Sequence, residues 1–322
     1  MRKSILAVGL ATMAISPWQL TGLAQAATGV SKVSSVDFNG DGKSDYAVAR
    51  ANGTQITFYT SALGAYSEVN WGLSGTDTIL ACDFDGDGKD DHAVWRTGAP
   101  SVARFYILQS STNTVREEAF GQTGDDPTVS ADYDGDGKCD PAVYRAGANP
   151  GDPSFFYYRG SLNNLGGNVT YVPWGLNGDF PTAGDYDGDG KYDFAIQRAG
   201  VFWIKTATGS TSTIAFGGAS DFIIRGDYDG DGKSDLALRR TVSGRHTYFI
   251  RNSSNGSIQY GLSWGLTGWN SVPGDYDGDG KTDLAEWNPT TGAFWVQNSV
   301  SGTTVFTWGK SGDFPLAGAL VN

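Results

Sequence analysis

Short apolar and aromatic runs alternate with polar turns along this chain, and the alternation itself repeats. An apolar run such as Thr78-Ile-Leu-Ala-Cys82 leads into an acidic, glycine-rich stretch. A second run leaves that stretch: Tyr46-Ala-Val-Ala, His92-Ala-Val-Trp, Pro141-Ala-Val-Tyr, Phe194-Ala-Ile-Gln, Leu236-Ala-Leu-Arg and Leu284-Ala-Glu-Trp. A third is aromatic, as in Arg104-Phe-Tyr-Ile and Val201-Phe-Trp-Ile, and a fourth ends in aromatic-Gly, as at Trp71-Gly, Phe120-Gly and Trp308-Gly. No segment holds a helical period. Four strand-like runs per unit, with unit starts 46, 49, 53, 42 and 48 residues apart, predict an all-β array of four-stranded antiparallel blades. One such blade cannot bury both its faces, whereas blades stacked radially can, so the expected fold is a β-propeller. Ala47, Ala93, Ala142, Ala195, Ala237 and Ala285 fall at one equivalent place, where a small side chain lets neighbouring sheets approach. The sequence favours six blades. Seven is the alternative, because the first unit has its own lead-in run, Val33-Ser-Ser-Val36. Residues 312–319 copy residues 178–185, which points to a tail that returns beside the first blade and closes the ring.

The acidic stretches share the form D-x-[DN]-G-D-G-K-x-D. Oxygen donors at positions 1, 3, 5 and 9, with the backbone carbonyl at 7, suit Ca²⁺, a hard cation that takes six to eight oxygens. The glycine at position 6 permits the sharp turn. The candidate ligands in the first loop are Asp37, Asn39, Asp41, Lys43 and Asp45, and in the second Asp83, Asp85, Asp87, Lys89 and Asp91. The third offers Asp132, Asp134, Asp136, Lys138 and Asp140, and the fourth Asp185, Asp187, Asp189, Lys191 and Asp193. The fifth has Asp227, Asp229, Asp231, Lys233 and Asp235, and the sixth Asp275, Asp277, Asp279, Lys281 and Asp283. About six structural Ca²⁺ sites are expected, the first weaker because Asn39 replaces a carboxylate. A plain turn needs one or two such residues, not four mutually repelling carboxylates.

Charge fits this reading. The chain carries 23 basic and 35 acidic residues. The loops account for most of the acid, so the acidity does not call for a basic partner, and it argues against nucleic-acid binding. Residues 1–27 read as a signal peptide: Arg2 and Lys3, an apolar run from Ile5 to Ile15, then Ala24-Gln25-Ala26 as a cleavage signal. Residues 28–322 then form a single propeller domain, expected to be exported to the extracellular space, cell surface or periplasm, monomeric and without a membrane span. Export permits a disulfide between Cys82 and Cys139, but spacing leaves two free thiols equally open.

The six loops and the repeating x-P-x-x-G-D-Y lead-in, as in Phe180-Pro-Thr-Ala-Gly-Asp-Tyr186, resemble the FG-GAP/VCBS repeat family and cover nearly all of the mature chain. The resemblance implies a calcium-stabilised, integrin-α-like propeller used in adhesion or ligand binding, with a glycan or an extracellular protein as partner. The family also occurs attached to polysaccharide lyases, so a polysaccharide-directed hydrolase or lyase is the alternative function, and a structural envelope protein the third.

No catalytic constellation stands out, and a non-enzymatic role is expected. His92 takes a strand position occupied elsewhere by Tyr, Pro, Phe and Leu, which marks a packed side chain, and His246 has no evident partner. Glu68, Glu117, Glu118 and Glu286 show no pairing. Arg50, Arg96, Arg145, Arg198 and Arg240 lie five residues after the closing Asp of their loops, with Asn288 in the sixth unit. Pairing with acidic groups is expected there, with an anionic ligand as the alternative. Trp95, Tyr144, Trp203, Trp269, Trp287 and Trp295 are expected in the core, or otherwise as stacking platforms for sugars.

Overall fold

A computed structural model describes residues 36–62, 64–164 and 166–316. The expected signal peptide, most of Val33–Val36 and Ala319 lie outside them. The described chain forms six four-stranded antiparallel sheets, the blades of a six-bladed propeller. The seven-bladed alternative is therefore set aside.

Blade 2 shows the plan: Asp77–Cys82, then Asp91–Arg96, Arg104–Leu108 and Val115–Ala119, each paired with the next. The acidic loop joins the first and second strands in blades 2 to 6 and immediately precedes the second strand of blade 1. The third strands place Phe58, Phe105, Phe156, Phe202, Tyr248 and Phe294 between blades, all at 1% exposure or less. The six equivalent alanines are also buried. Small side chains on the second strand and large rings on the third thus fill one seam after another.

The ring closes through the tail. Phe314 and Pro315 pair with Ala49 and Val48, supplying the first strand of blade 1. Residues from both ends of the described chain meet around blade 1. The Leu316 N–H donates to the Ala47 carbonyl, as Thr182 does to Ala195 in blade 4. The Asp45 N–H donates to the Val36 carbonyl, as Asp193 does to Gly184. Among the described residues no helix is long and apolar enough to cross a membrane.

Candidate metal centres

Each acidic loop is folded by its own carboxylates. The position-1 Asp accepts from the N–H groups of positions 4 and 6, as in Gly188 and Gly190 to Asp185 at 2.6 and 2.9 Å. The position-5 Asp accepts from the position-7 Lys N–H, at 2.9–3.0 Å in all six loops. The position-9 Asp accepts from the N–H of position 2, as in Tyr276 to Asp283 at 2.8 Å. The glycines at positions 4 and 6 have φ between +78° and +91°, a region open to glycine at no steric cost.

The loops are also joined to one another. The position-8 N–H of each donates to the position-1 carbonyl of the loop before it, at 2.6–2.7 Å, and the six bonds form a closed circuit that passes from blade 6 back to blade 1. Each position-7 Lys stem lies over the position-4 glycine of that same preceding loop, so a methyl group on Gly188 would come within 2.9 Å of Lys233. Behind this seam, Gly184, Gly226 and Gly274 make room for Ser234, Thr282 and Ser44 of the next blade. At the corresponding place between blades 2 and 3 stand Cys82 and Cys139. They form a disulfide, Cα–Cα 5.9 Å, which settles the open alternative. A contact made elsewhere by packing is covalent there.

Three carboxylates converge within 4.8 Å in five of the six loops. In loops 3, 5 and 6 they come from positions 1, 3 and 5: Asp132, Asp134 and Asp136; Asp227, Asp229 and Asp231; Asp275, Asp277 and Asp279. In loops 2 and 4 they come from positions 1, 3 and 9: Asp83, Asp85 and Asp91; Asp185, Asp187 and Asp193. The first loop makes no such cluster among the described residues. There the Asn39 amide donates to Asp45 Oδ1 at 3.0 Å, occupying an oxygen that a cation would want. Hydroxyls of the hairpin between the third and fourth strands brace the outer carboxylates. Ser110 and Ser111 donate to Asp87 and Asp85, and Ser253 and Ser254 to Asp231 and Asp229.

The electrostatics are those of carboxylates crowded together out of water. Burial, with the neighbouring carboxylates adding to it, pushes Asp45, Asp91, Asp235 and Asp283 up to about 6, Asp193 to about 7 and Asp140 to about 8. Asp134 Oδ1 and Asp277 Oδ1 are fully buried inside their clusters and have no hydrogen-bond partner. Oxygen-only donors, clustered, desolvated and in two cases left unpaired, fit a hard divalent cation.

At the opposite ends of the strands the arginine row is paired. Arg50, Arg96, Arg145, Arg198 and Arg240 each grip one aspartate with two bonds of 2.6–2.8 Å. The partners are Asp313, Asp77, Asp125, Asp179 and Asp221, which also accept the N–H that closes the turn after aromatic-Gly. Each guanidinium lies 4.2–5.3 Å from the ring of Tyr59, Tyr106, Tyr157, Trp203 or Phe249 on the third strand. The expected acid pairing holds.

His92 is packed as expected, stacked on Phe38 at 4.3 Å and held down to about 4 by burial. His246 and Glu286 correct the expectation of no pairing. His246 Nδ1 is 2.8 Å from Glu286 Oε1, and Ser271 donates to the same oxygen at 2.9 Å. The Tyr248 hydroxyl donates to it as well. All four side chains are buried. The repeats carry a signal for this: Glu286 stands where the other blades have Val48, Val94, Val143, Ile196 and Leu238, and Tyr248 stands where they have Phe. Of the six candidate platforms, Trp95, Tyr144 and Trp287 are core residues at 4% exposure or less. Trp203 and Trp295 reach solvent, and Trp269 is half-buried.

Comparison with known proteins agrees with this architecture. An FG-GAP-like repeat profile matches residues 37–94 and 227–285, so the chain carries FG-GAP-like repeats at these two places. Among solved structures it is similar to TolB from Acinetobacter baumannii, with TM-score 0.55 and 18% identity over 87% of this chain, a likeness of fold alone. The chain spans 64% of that TolB chain. A streptogramin B lyase structure is more distant, with TM-score 0.46 and 10% identity over 87% of this chain and 86% of its own. A search of curated protein sequences found no match.

Proposed function

We propose that this protein is an exported, calcium-clamped propeller that acts as a non-catalytic binding module for glycans or cell-surface ligands. The observation that carries the metal reading is the pair of buried, unpartnered oxygens, Asp134 Oδ1 and Asp277 Oδ1, within clusters of three carboxylates. Bound Ca²⁺ would supply positive charge that cancels the repulsion among these groups. Asp83, Asp132, Asp185, Asp227 and Asp275 shape the loops, and the partners at positions 3 and 5, or at 3 and 9, would complete the oxygen set around the ion. The serine hydroxyls keep the outer carboxylates turned inward. The position-8 to position-1 circuit carries the resulting rigidity round the ring. On this frame the fourth strands present exposed aromatic rings to solvent, Tyr66, Tyr171 and Tyr260 among them, at 59%, 66% and 69% exposure. Aromatic rings with a polar edge suit the recognition of sugars and of protein surfaces.

The test is a glycan array probed with the 28–322 chain, with calcium and again with EDTA. Calcium-dependent binding without turnover is the expected result. Release of reducing ends or unsaturated products would instead favour the polysaccharide hydrolase or lyase, and a folded, calcium-loaded protein that binds no glycan and no cell surface would refute the module.

A further inference from the structure

One of the six seams departs from the pattern of the others, and it does so at several positions together. In five blades a guanidinium covers the third-strand ring, and an aspartate of the lead-in turn holds the guanidinium. In blade 6 the arginine is replaced by Asn288 and the aspartate by Trp269. Backbone geometry establishes the equivalence: the Trp269 N–H donates to the Leu266 carbonyl at 3.0 Å, as that of Asp179 does to Leu176. Trp295 is the third-strand ring here, at 37% exposure, and among the described residues no cation lies over it. Trp269 flanks it, with centroids 5.8 Å apart and planes 38° from parallel.

A second observation falls in the same seam. Glu286 is the register partner of Trp295, so the two side chains leave the sheet on one face. Its Oε1 is crowded with donors, but Oε2 is buried and has no partner. In the other blades this position is Val, Ile or Leu. The neighbouring cation, Arg239, reaches the same buried cluster, 3.0 Å from His246 Nδ1 and bonded to Ser271 at 3.1 Å, with its guanidinium 4.6 Å from Phe222 rather than over Trp295. The seam has therefore lost the cation that covers the third-strand ring in the other blades, and gained a second indole and an unsatisfied carboxylate oxygen.

We infer that the seam between blades 5 and 6 binds a guanidinium group supplied from outside, seated over Trp295 in the place that the protein's own arginines take in the other five blades. A tryptophan face is the best aromatic partner for a cation, and desolvation strengthens the attraction. The inference goes beyond the calcium and glycan reading. The site lies at the ends of the strands away from the metal loops and uses none of their residues.

The test uses the 28–322 chain in calcium, titrated by calorimetry with N-acetyl-arginine amide and with the peptide acetyl-Gly-Arg-Gly amide. N-acetyl-glutamine amide and a methyl glucoside are the neutral controls. Saturable binding of both arginine probes is expected, weakened by salt, with the neutral probes at least about tenfold weaker. Equal affinity for the two arginine probes would assign recognition to the guanidinium alone, and tighter peptide binding would place it on a polypeptide partner; either supports the site. The double variant Trp269→Asp/Asn288→Arg rebuilds the pair found in the other blades. It should fold with at least the parent's melting temperature and bind about tenfold more weakly. The inference is overturned if neither arginine probe binds, if the neutral probes bind as well, or if the rebuilt variant keeps the parent's affinity.

Discussion

The disulfide offers the sharpest quantitative check on how the ring is held. Cys82 and Cys139 lie 57 residues apart and tie blade 2 to blade 3 at the seam where position 8 of one loop meets the residue before position 1 of the loop preceding it. The double substitution Cys82→Gly/Cys139→Ser copies the packed pair Gly184 and Ser234 found between blades 4 and 5. Local packing should survive, and the loss should be chiefly the chain entropy of the unfolded state. For a loop of this size that term is about 4 kcal/mol. In a domain of this length each kcal/mol lowers the midpoint by about 2 °C, so a fall of about 8 °C is expected. Scanning calorimetry and far-UV circular dichroism, both in saturating calcium, read the shift and the retention of β structure. A midpoint within about 1 °C of the parent would refute the view that this bond constrains the unfolded chain. Loss of the native fold would refute the view that the other seams close the ring without it.

Three further outcomes follow from the same geometry. Without metal, the position-9 carboxylates hold protons in the folded state up to about 6 to 8, against an ordinary value near 4 when unfolded. The folded state thus binds more protons across this window, and the EDTA-treated protein should lose stability as pH rises from about 4 to 8; a flat or rising melting temperature would contradict this. Arg96→Met leaves the Asp77 carboxylate, fully buried and 2.7 Å from the missing group, without its counter-charge, and should cost about 3 kcal/mol by denaturant titration. A loss below about 0.5 kcal/mol would class the pair with ordinary surface bridges. Asn39→Asp removes the amide that occupies Asp45 and should tighten or add one calcium site by calorimetry, whereas unchanged binding would show that Asn39 does not limit the first loop.

Much of this architecture is legible in the residues because it is written six times. The loops, the order of strands and the buried alanines recur at fixed places, and repetition separates them from chance. The copied tail at 312–319 points to closure, although the bonds that seat it, Leu316 to Ala47 and Asp45 to Val36, are ones that no pattern displays. Pairing of Cys82 with Cys139 stayed open because sequence distance carries no Cα separation; only superposed loops bring the two together. Glu286 was visible as a polar residue in a row of Val, Ile and Leu, yet its partners His246, Tyr248 and Ser271 come from two other strands and meet it only in the folded seam. The joint exchange of Arg for Asn288 and Asp for Trp269 was also present in the repeats. Its meaning required knowing that these two positions touch.

The central claim is that the six loops are cation sites that hold the ring together. Calcium titration of the EDTA-stripped 28–322 chain, by calorimetry with parallel thermal melts, tests it most directly. The account predicts five comparable sites from the five carboxylate clusters and a weaker sixth at the first loop, with a melting temperature that climbs as the sites fill. A stripped protein that takes up no calcium, or one that binds it and melts at an unchanged temperature, would contradict the account.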